Sequence, residues 1–186
     1  MKKTESMILS RKGTAVLIVS AVLTVAICLI MNLILIPAIE RSTGGMRCFD
    51  MNFLYSADDA RSFLQALSAD GKNTYLHCQL PLDFFYPLCY GCFFIFAFVK
   101  LQKRLNKIAV IPLLLAAFDY AENICIKLML SASPFSTHTA VFGSAFTSVK
   151  TILMYGVFIL LIVFILRAAL KKKKAIFAET TETDNR

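Results

Sequence analysis

Four long apolar stretches, separated by short charged segments, constrain this 186-residue chain more than any other feature. They cover residues 14–39, 76–99, 108–130 and 139–166. Each is long enough to cross about 30 Å of hydrocarbon at about 1.5 Å per helical residue. Because backbone polar groups find no water inside a bilayer, such stretches span it as helices. The sequence therefore predicts an all-α fold in which residues 1–170 form a single domain, an up-down bundle of four transmembrane helices.

The composition is that of a membrane protein. Apolar residues make up 58% of the chain and charged residues 17%, against about 45–50% and 25% in a typical soluble domain. The first stretch follows Lys2, Lys3, Arg11 and Lys12, as a signal peptide core would. It is too long for such a core, and no small-x-small cleavage site follows it, so it is predicted to be an uncleaved anchor.

The placement of lysine and arginine predicts the orientation. Basic residues cluster in the N-terminal tail, in the connection 100–107 and in residues 167–174, whereas the connection 131–138 has none. The positive-inside rule then places both termini in the cytoplasm. The net charge of +8 lies near the span ends, where it attracts anionic membrane lipids, and nucleic acid is not an expected partner. Residues 171–186, basic and then polar, are predicted to be a disordered tail.

The first connection, predicted to be external, carries the signature of a short helix. Ser56 followed by Asp59 resembles a capping box, and apolar residues recur at helical spacing after it. Gly71 is the expected stop. The pattern predicts a short amphipathic helix over 57–69 that either packs on the span ends or covers a lateral opening as a lid.

Polar residues inside three of the spans are the candidates for function. In the third span Asp119, Glu122 and Asn123 are three and four residues apart and share one helix face. Lys150 in the fourth span lies at a similar depth to Asp119, since each is eleven residues, or about 16 Å, from the start of its span. A charged side chain at the bilayer centre costs about 2.5–3.5 kcal/mol on insertion scales, so such residues usually face protein or water.

The second span adds a third polar face. Asp83, Tyr86 and Tyr90 recur at helical spacing. We therefore expect one enclosed cluster in which Lys150 pairs with Asp119 or Glu122 while the other acid keeps a proton.

A cleft lined by this cluster is predicted to bind a small lipophilic or amphiphilic molecule. In an enzyme, Asp119 or Glu122 would act as general acid or base and Lys150 would stabilise negative charge. A proton-coupled carrier and a structural or partner-binding membrane protein are alternatives, and whether catalysis occurs is left open. No metal ion or cofactor is predicted. The candidate ligand-binding residues are Asp83, Tyr86, Tyr90, Asp119, Glu122, Asn123 and Lys150.

The cysteines allow two further interpretations. Cys48 and Cys78 are expected near the external face, where a disulfide or two free thiols would both be possible. Cys89 and Cys92 form a Cys-x-x-Cys motif similar to that of four-span thiol oxidoreductases, which need it near the membrane surface. Here the motif lies some thirteen residues into the second span. It is read as a pair of small packing residues, with the oxidoreductase as a minor alternative.

A family resemblance is carried by Tyr75, the run Leu-Pro-Leu-Asp-Phe-Phe-Tyr-Pro at 80–87, Tyr90, Gly91, the run 118–123 and Lys150. On these residues the chain resembles an uncharacterised family of bacterial four-span integral membrane proteins with an Asp-Tyr-x-Glu-Asn motif in the third span, which implies the cytoplasmic membrane of a bacterium as its location. The resemblance implies the topology and the choice of residues, and no activity. A looser, architectural likeness is to four-span sterol-isomerase-like proteins, which place acids inside the bundle to act on a lipid, but this chain has no Trp.

Overall fold

The described part of the chain is a bundle of four long helices with two short ones. The computed structural model describes the backbone of residues 2–184 and the side chains of residues 4–173, and it contains no strand within that range. The long helices are the 4 that are apolar enough to cross a membrane. The all-α four-span prediction is therefore confirmed. In chain order the helices are α1 Lys2–Leu9, α2 Arg11–Ser42, α3 Ala57–Ala66, α4 Ala69–Gln102, α5 Lys107–Ser131 and α6 Thr137–Asp184.

The short helix in the first connection begins as the sequence predicts. The Ser56 backbone N–H donates to Asp59 Oδ2 at 2.8 Å, and the Asp59 N–H donates to Ser56 Oγ at 3.1 Å. This reciprocal pair satisfies two backbone donors that the first turn leaves open. Ala60 and Phe63 on its apolar side are buried, so α3 packs onto the bundle.

The second span begins earlier than predicted. Ser68 caps a new helix at Ala69, where its hydroxyl accepts from the Gly71 N–H at 3.0 Å. Gly71 was expected to end a helix over 57–69, but it lies inside α4, against Ser42 of the first span. A Cβ at this position would overlap Ser42 Oγ. The prediction was wrong because the serine cap and this close helix contact outweigh the poor helix propensity of glycine.

The last helix is also longer than predicted. It continues from the fourth span to Asp184, across most of the tail 171–186 for which the sequence predicts disorder. No glycine or proline follows Gly156, and residues 168–174 are strong helix formers, so nothing in the sequence stops the helix. The last two residues lie outside the described range.

Two apolar clusters fill the bundle and leave a polar layer between them. Along α5 the residues near Leu115 belong to one cluster and those near Ile126 to the other, with Asp119 and Glu122 in between. The outward faces of α2 and α6 are apolar and exposed, as at Leu33. Such a band suits contact with lipid, and the polar layer lies inside it.

Candidate functional site

Lys150 of α6 forms ion pairs with both acids of the third span. Its Nζ contacts Glu122 Oε2 and lies 3.4 Å from Asp119 Oδ1. The two carboxylates are almost fully buried, with side-chain exposures of 0% for Glu122 and 3% for Asp119. They project the same way because they are three residues apart on one helix. The pairing predicted for Lys150 is present and involves both acids.

Each of these acids also accepts a hydrogen bond from a neighbouring helix. The Tyr90 hydroxyl of α4 donates to Asp119 Oδ2 at 2.8 Å. The Thr147 hydroxyl of α6 donates to Glu122 Oε1 at 2.6 Å. Hydrogen bonds to a charged acceptor are stronger than neutral ones, and here they orient both carboxylates toward the lysine. Side chains from three spans thus converge, as the sequence predicts.

Asn123 takes a different role from the acids. Its Nδ2 donates to the backbone oxygen of Asp83 at 3.0 Å. In a regular helix that oxygen would accept from the N–H of residue 87, but residue 87 is proline and has no N–H. Asn123 therefore satisfies a carbonyl that Pro87 leaves without its helical partner, and ties the third span to the second.

The Asp83 side chain lies inside the bundle without a protein partner. It is 4% exposed, yet among the described residues no donor bonds to its carboxylate and no cation lies within ion-pair distance of it. Asn123 Oδ1 is likewise buried without a donor in the part of the chain that the structure describes. The polar layer therefore holds more acceptors than donors.

Sequence reasoning missed Asp50, which the first connection brings against the bundle. The Tyr75 hydroxyl donates to Asp50 Oδ1 at 3.1 Å, and Gln79 Nε2 donates to Oδ2 at 3.5 Å. Burial raises the pKa of the Asp50 carboxyl, while the charge of Lys150 and the Tyr75 hydroxyl oppose that rise. The charge of Lys150 thus acts on Asp50 as well as on the acids of α5. Its only sequence signal is its place between Phe49 and Met51, in a connection that is itself rich in apolar residues.

Two hydrogen bonds fasten this connection to the fourth span. The Tyr55 N–H donates to Ser144 Oγ at 2.9 Å, and Ser148 Oγ donates to the Phe53 carbonyl at 2.6 Å. Burial and the nearby charge of Glu122 raise the pKa of Tyr55. The connection therefore covers the polar layer at the end of the bundle where α6 begins.

Tyr86 lines an apolar cavity beside the acids. Its ring packs edge-on against Tyr90, with centroids 5.0 Å apart, and no described residue joins its hydroxyl to the acids by a hydrogen bond. The cavity measures about 340 Å³ and lies between the first, second and fourth spans. Tyr90 therefore contributes its ring to the cavity and its hydroxyl to Asp119. Residues lining the cavity include Thr24, Val25, Cys28, Tyr86, Tyr90, Met154 and Phe158.

The cysteines carry no feature of a redox site. Cys48 is buried and Cys78 exposed, and both thiols are free. Burial raises the pKa of Cys48 above its ordinary value, so its reactive thiolate is disfavoured. Cys89 and Cys92 are also free, one buried and one exposed within α4. This arrangement does not favour the thiol oxidoreductase.

No protein-family model, curated protein or solved structure matches this chain. The resemblance to a four-span bacterial family thus stays a prediction. Within the described residues, no group of three histidine, cysteine or acidic side chains is placed to hold a metal ion. The chemistry of the site therefore follows from its own geometry.

Proposed function

We propose that this integral membrane protein binds a small lipophilic or amphiphilic molecule in the cavity between its first, second and fourth spans. The observation that carries the proposal is the double role of Tyr90. Its ring lines an apolar cavity, and its hydroxyl donates to Asp119 of the buried ion-pair cluster. Ligand sites in proteins are mostly apolar with a few polar groups that fix orientation, and this arrangement supplies both.

The cavity suits a ligand that arrives from the bilayer. Its volume of about 340 Å³ lies at the lower end of the range of about 300–1,000 Å³ that small-molecule sites occupy. Two of the residues that line it, Val25 and Phe158, are 57% and 48% exposed on the outer surface of the bundle. Since that surface faces hydrocarbon, the opening admits an apolar chain without exposing it to water.

Of the candidate ligand-binding residues, only Tyr86 and Tyr90 line the cavity, and the polar layer lies beyond the Tyr90 hydroxyl. We propose that the polar end of the ligand points toward that layer. Asp83 and Asn123 present acceptors that no described donor reaches. Of the three buried acids, Asp119 and Glu122 pair with Lys150, whereas Asp83 has no described cation within ion-pair distance. Because a buried acceptor without a donor costs about 1–3 kcal/mol, a ligand group that donates, such as a hydroxyl or an amine, is favoured there.

The proposed location is the cytoplasmic membrane of a bacterium, with both termini in the cytoplasm. Lys100 Nζ lies 2.9 Å from Thr14 Oγ1, which places the basic connection 100–107 at the same end as the N-terminus. Arg104 and Arg167 line one groove, so the basic residues after the fourth span lie at that end too. The positive-inside rule assigns this end to the cytoplasm.

Two valines of the first span provide the test. Val25 lines the cavity, whereas Val22 does not and is exposed to a similar degree, at 61% against 57%. Each would be replaced by tryptophan, and the molecules retained after purification in mild detergent would be identified by mass spectrometry. We expect Val25→Trp to lose a species that wild type and Val22→Trp both retain. Equal retention by the two variants would refute the cavity as the binding site.

A proton-coupled carrier is the second candidate, favoured by the excess of acids over lysine. With three carboxylates and one ammonium in the layer, uncompensated negative charge is costly in low dielectric, and bound protons remove it. Uptake of the retained molecule into proteoliposomes should then depend on a pH gradient. Asp119→Asn should abolish that dependence, whereas a protein that only binds should show no gradient-driven uptake.

A further inference from the structure

A second cavity lies at the basic end of the bundle, away from the proposed ligand site. It measures about 350 Å³ and forms where α4 ends and α6 leaves its apolar run. It shares no lining residue with the cavity between the first, second and fourth spans. Its walls include three cations and an amide, and its floor is apolar. The residues concerned are Arg104, Arg167, Lys171, Gln102, Leu101 and Phe164.

The polar walls of this basic groove consist of donors. Arginine offers five N–H groups and lysine three, and neither can accept a hydrogen bond. Gln102 Oε1 is already occupied, because it accepts from Asn106 Nδ2 at 2.6 Å. Gln102 Nε2 is left buried, with no acceptor among the described residues. The polar side chains that line the groove therefore offer donors and no free acceptor.

The charge of the groove is not balanced locally. In the part of the chain that the structure describes, no carboxylate lies within ion-pair distance of Arg104, Arg167 or Lys171. The end of α4 beside them adds the negative pole of a helix dipole, equivalent to about half an elementary charge. Three full positive charges exceed it several-fold. An anion in the groove would lower this repulsion.

The position of the groove relative to the membrane indicates which kind of anion it binds. Arg167 follows directly on an apolar run whose outward side chains, such as Leu166, are exposed. The groove therefore opens at the edge of the apolar band, where lipid headgroups lie. Phe164 on its floor is buried and packs edge-on against Phe98, with ring centroids 5.2 Å apart. A ligand with a charged head and an apolar body matches both the walls and the floor.

We infer that this groove binds the phosphate of an anionic phospholipid from the leaflet at the basic end of the bundle. The planar guanidinium groups of Arg104 and Arg167 suit a phosphate because each can donate two parallel hydrogen bonds. Gln102 Nε2 supplies a neutral donor at the buried side. The acyl chains then lie along the exposed apolar surface of the fourth span. This inference does not depend on the proposed ligand of the other cavity.

Two adjacent lysines give a matched test. Lys171 lines the groove and Lys172 does not, although both are exposed on the same helix. The full-length protein in detergent would be titrated with phosphatidylglycerol or phosphatidylcholine, and bound lipid counted by native mass spectrometry. We expect selective binding of phosphatidylglycerol. Arg167→Gln should weaken it about tenfold, Lys171→Gln should weaken it less, and Lys172→Gln should leave it unchanged. Equal losses at Lys171 and Lys172, or equal binding of both lipids, would contradict the inference.

The variant Gln102→Glu tests the groove without removing a surface charge. Glutamate keeps an oxygen for Asn106 but replaces the unpaired donor with a carboxylate facing three cations. We expect this variant to lose phosphatidylglycerol binding and to melt at a higher temperature than wild type in lipid-free detergent. A lower melting temperature together with unchanged lipid binding would overturn the inference.

Inorganic phosphate distinguishes the lipid from a free anion. Wild type would be heated in detergent with phosphate alone or with phosphatidylglycerol alone. The inference predicts thermal stabilisation by the lipid and little by inorganic phosphate, because only the lipid also covers the apolar floor. Equal stabilisation by both would show that the groove binds free phosphate, and the lipid assignment would fail.

Discussion

Replacing Lys150 by methionine tests the ion-pair cluster at its centre. Methionine keeps most of the apolar length of the side chain and removes the ammonium that touches Glu122 and Asp119. Breaking a buried ion pair by removing one partner costs about 3–5 kcal/mol, because the remaining charge is left uncompensated. Here two carboxylates lose their cation at once, and neither is open to solvent. We therefore expect a loss of stability in that range at neutral pH.

The assay is reversible unfolding in mixed micelles of a mild detergent and dodecyl sulfate, followed by circular dichroism. Lys150→Met combined with Glu122→Gln should be more stable than Lys150→Met alone, since one uncompensated charge is gone. Lys127→Met, on an exposed lysine of α5, is the control and should change little. If Lys150→Met unfolds at the same point as wild type, the reasoning fails.

Three further predictions concern residues whose hydrogen bonds lie outside the ion pair itself. Asn123→Ala should destabilise the protein by about 1–3 kcal/mol by leaving the Asp83 carbonyl unpaired, and by less when Pro87→Ala restores the helical N–H. Asp50→Asn should stabilise the protein increasingly as pH rises above about 4, because the raised pKa of Asp50 means that ionisation opposes folding. Asp59→Ala should destabilise it near neutral pH, with the difference vanishing at low pH, because capping lowers the pKa of Asp59 and its contribution is lost as pH falls through that value.

Unfolding curves across the pH range check all three predictions. If Asn123→Ala destabilises the protein equally with and without Pro87→Ala, Asn123 does not replace the N–H that Pro87 lacks. A stability difference for Asp50→Asn that stays constant from pH 4 to 8 would show that Asp50 is not held in a buried site. For Asp59, the control is Asp58→Ala, which removes an exposed acid of the same turn from outside the capping box. Equal pH profiles for the two variants would refute the capping argument.

The spans and the capping box were predictable because they follow from local sequence, and the ion pair because the span lengths fix the depth of each charged residue. An apolar run long enough for a bilayer has few alternatives to a membrane helix, and the predicted spans agree with the helices to within a few residues, except where the second and fourth extend further. Lys150 could be assigned to the acids of α5 because antiparallel neighbours at equal depth meet. The capping box at Ser56 was readable because it lies within four consecutive residues.

The remaining features depend on contacts between segments distant in the sequence. Gly71 reads as a helix stop until Ser42 of the first span is known to pack against it. Asp50 reads as a solvated loop charge until Tyr75 and Gln79 are known to donate to it. The role of Asn123 becomes visible only when Pro87 on another helix is seen to leave a carbonyl free. No local pattern carries this information.

An experimental structure of the protein crystallised from a lipid mesophase tests the central claim most directly. The account predicts an elongated molecule between the first, second and fourth spans, with its polar end within hydrogen-bond distance of the layer formed by Tyr90, Asp119 and Asn123. A cavity closed by repacked side chains would contradict it. So would a lipid whose headgroup stays at the membrane surface while only its chains touch Tyr86.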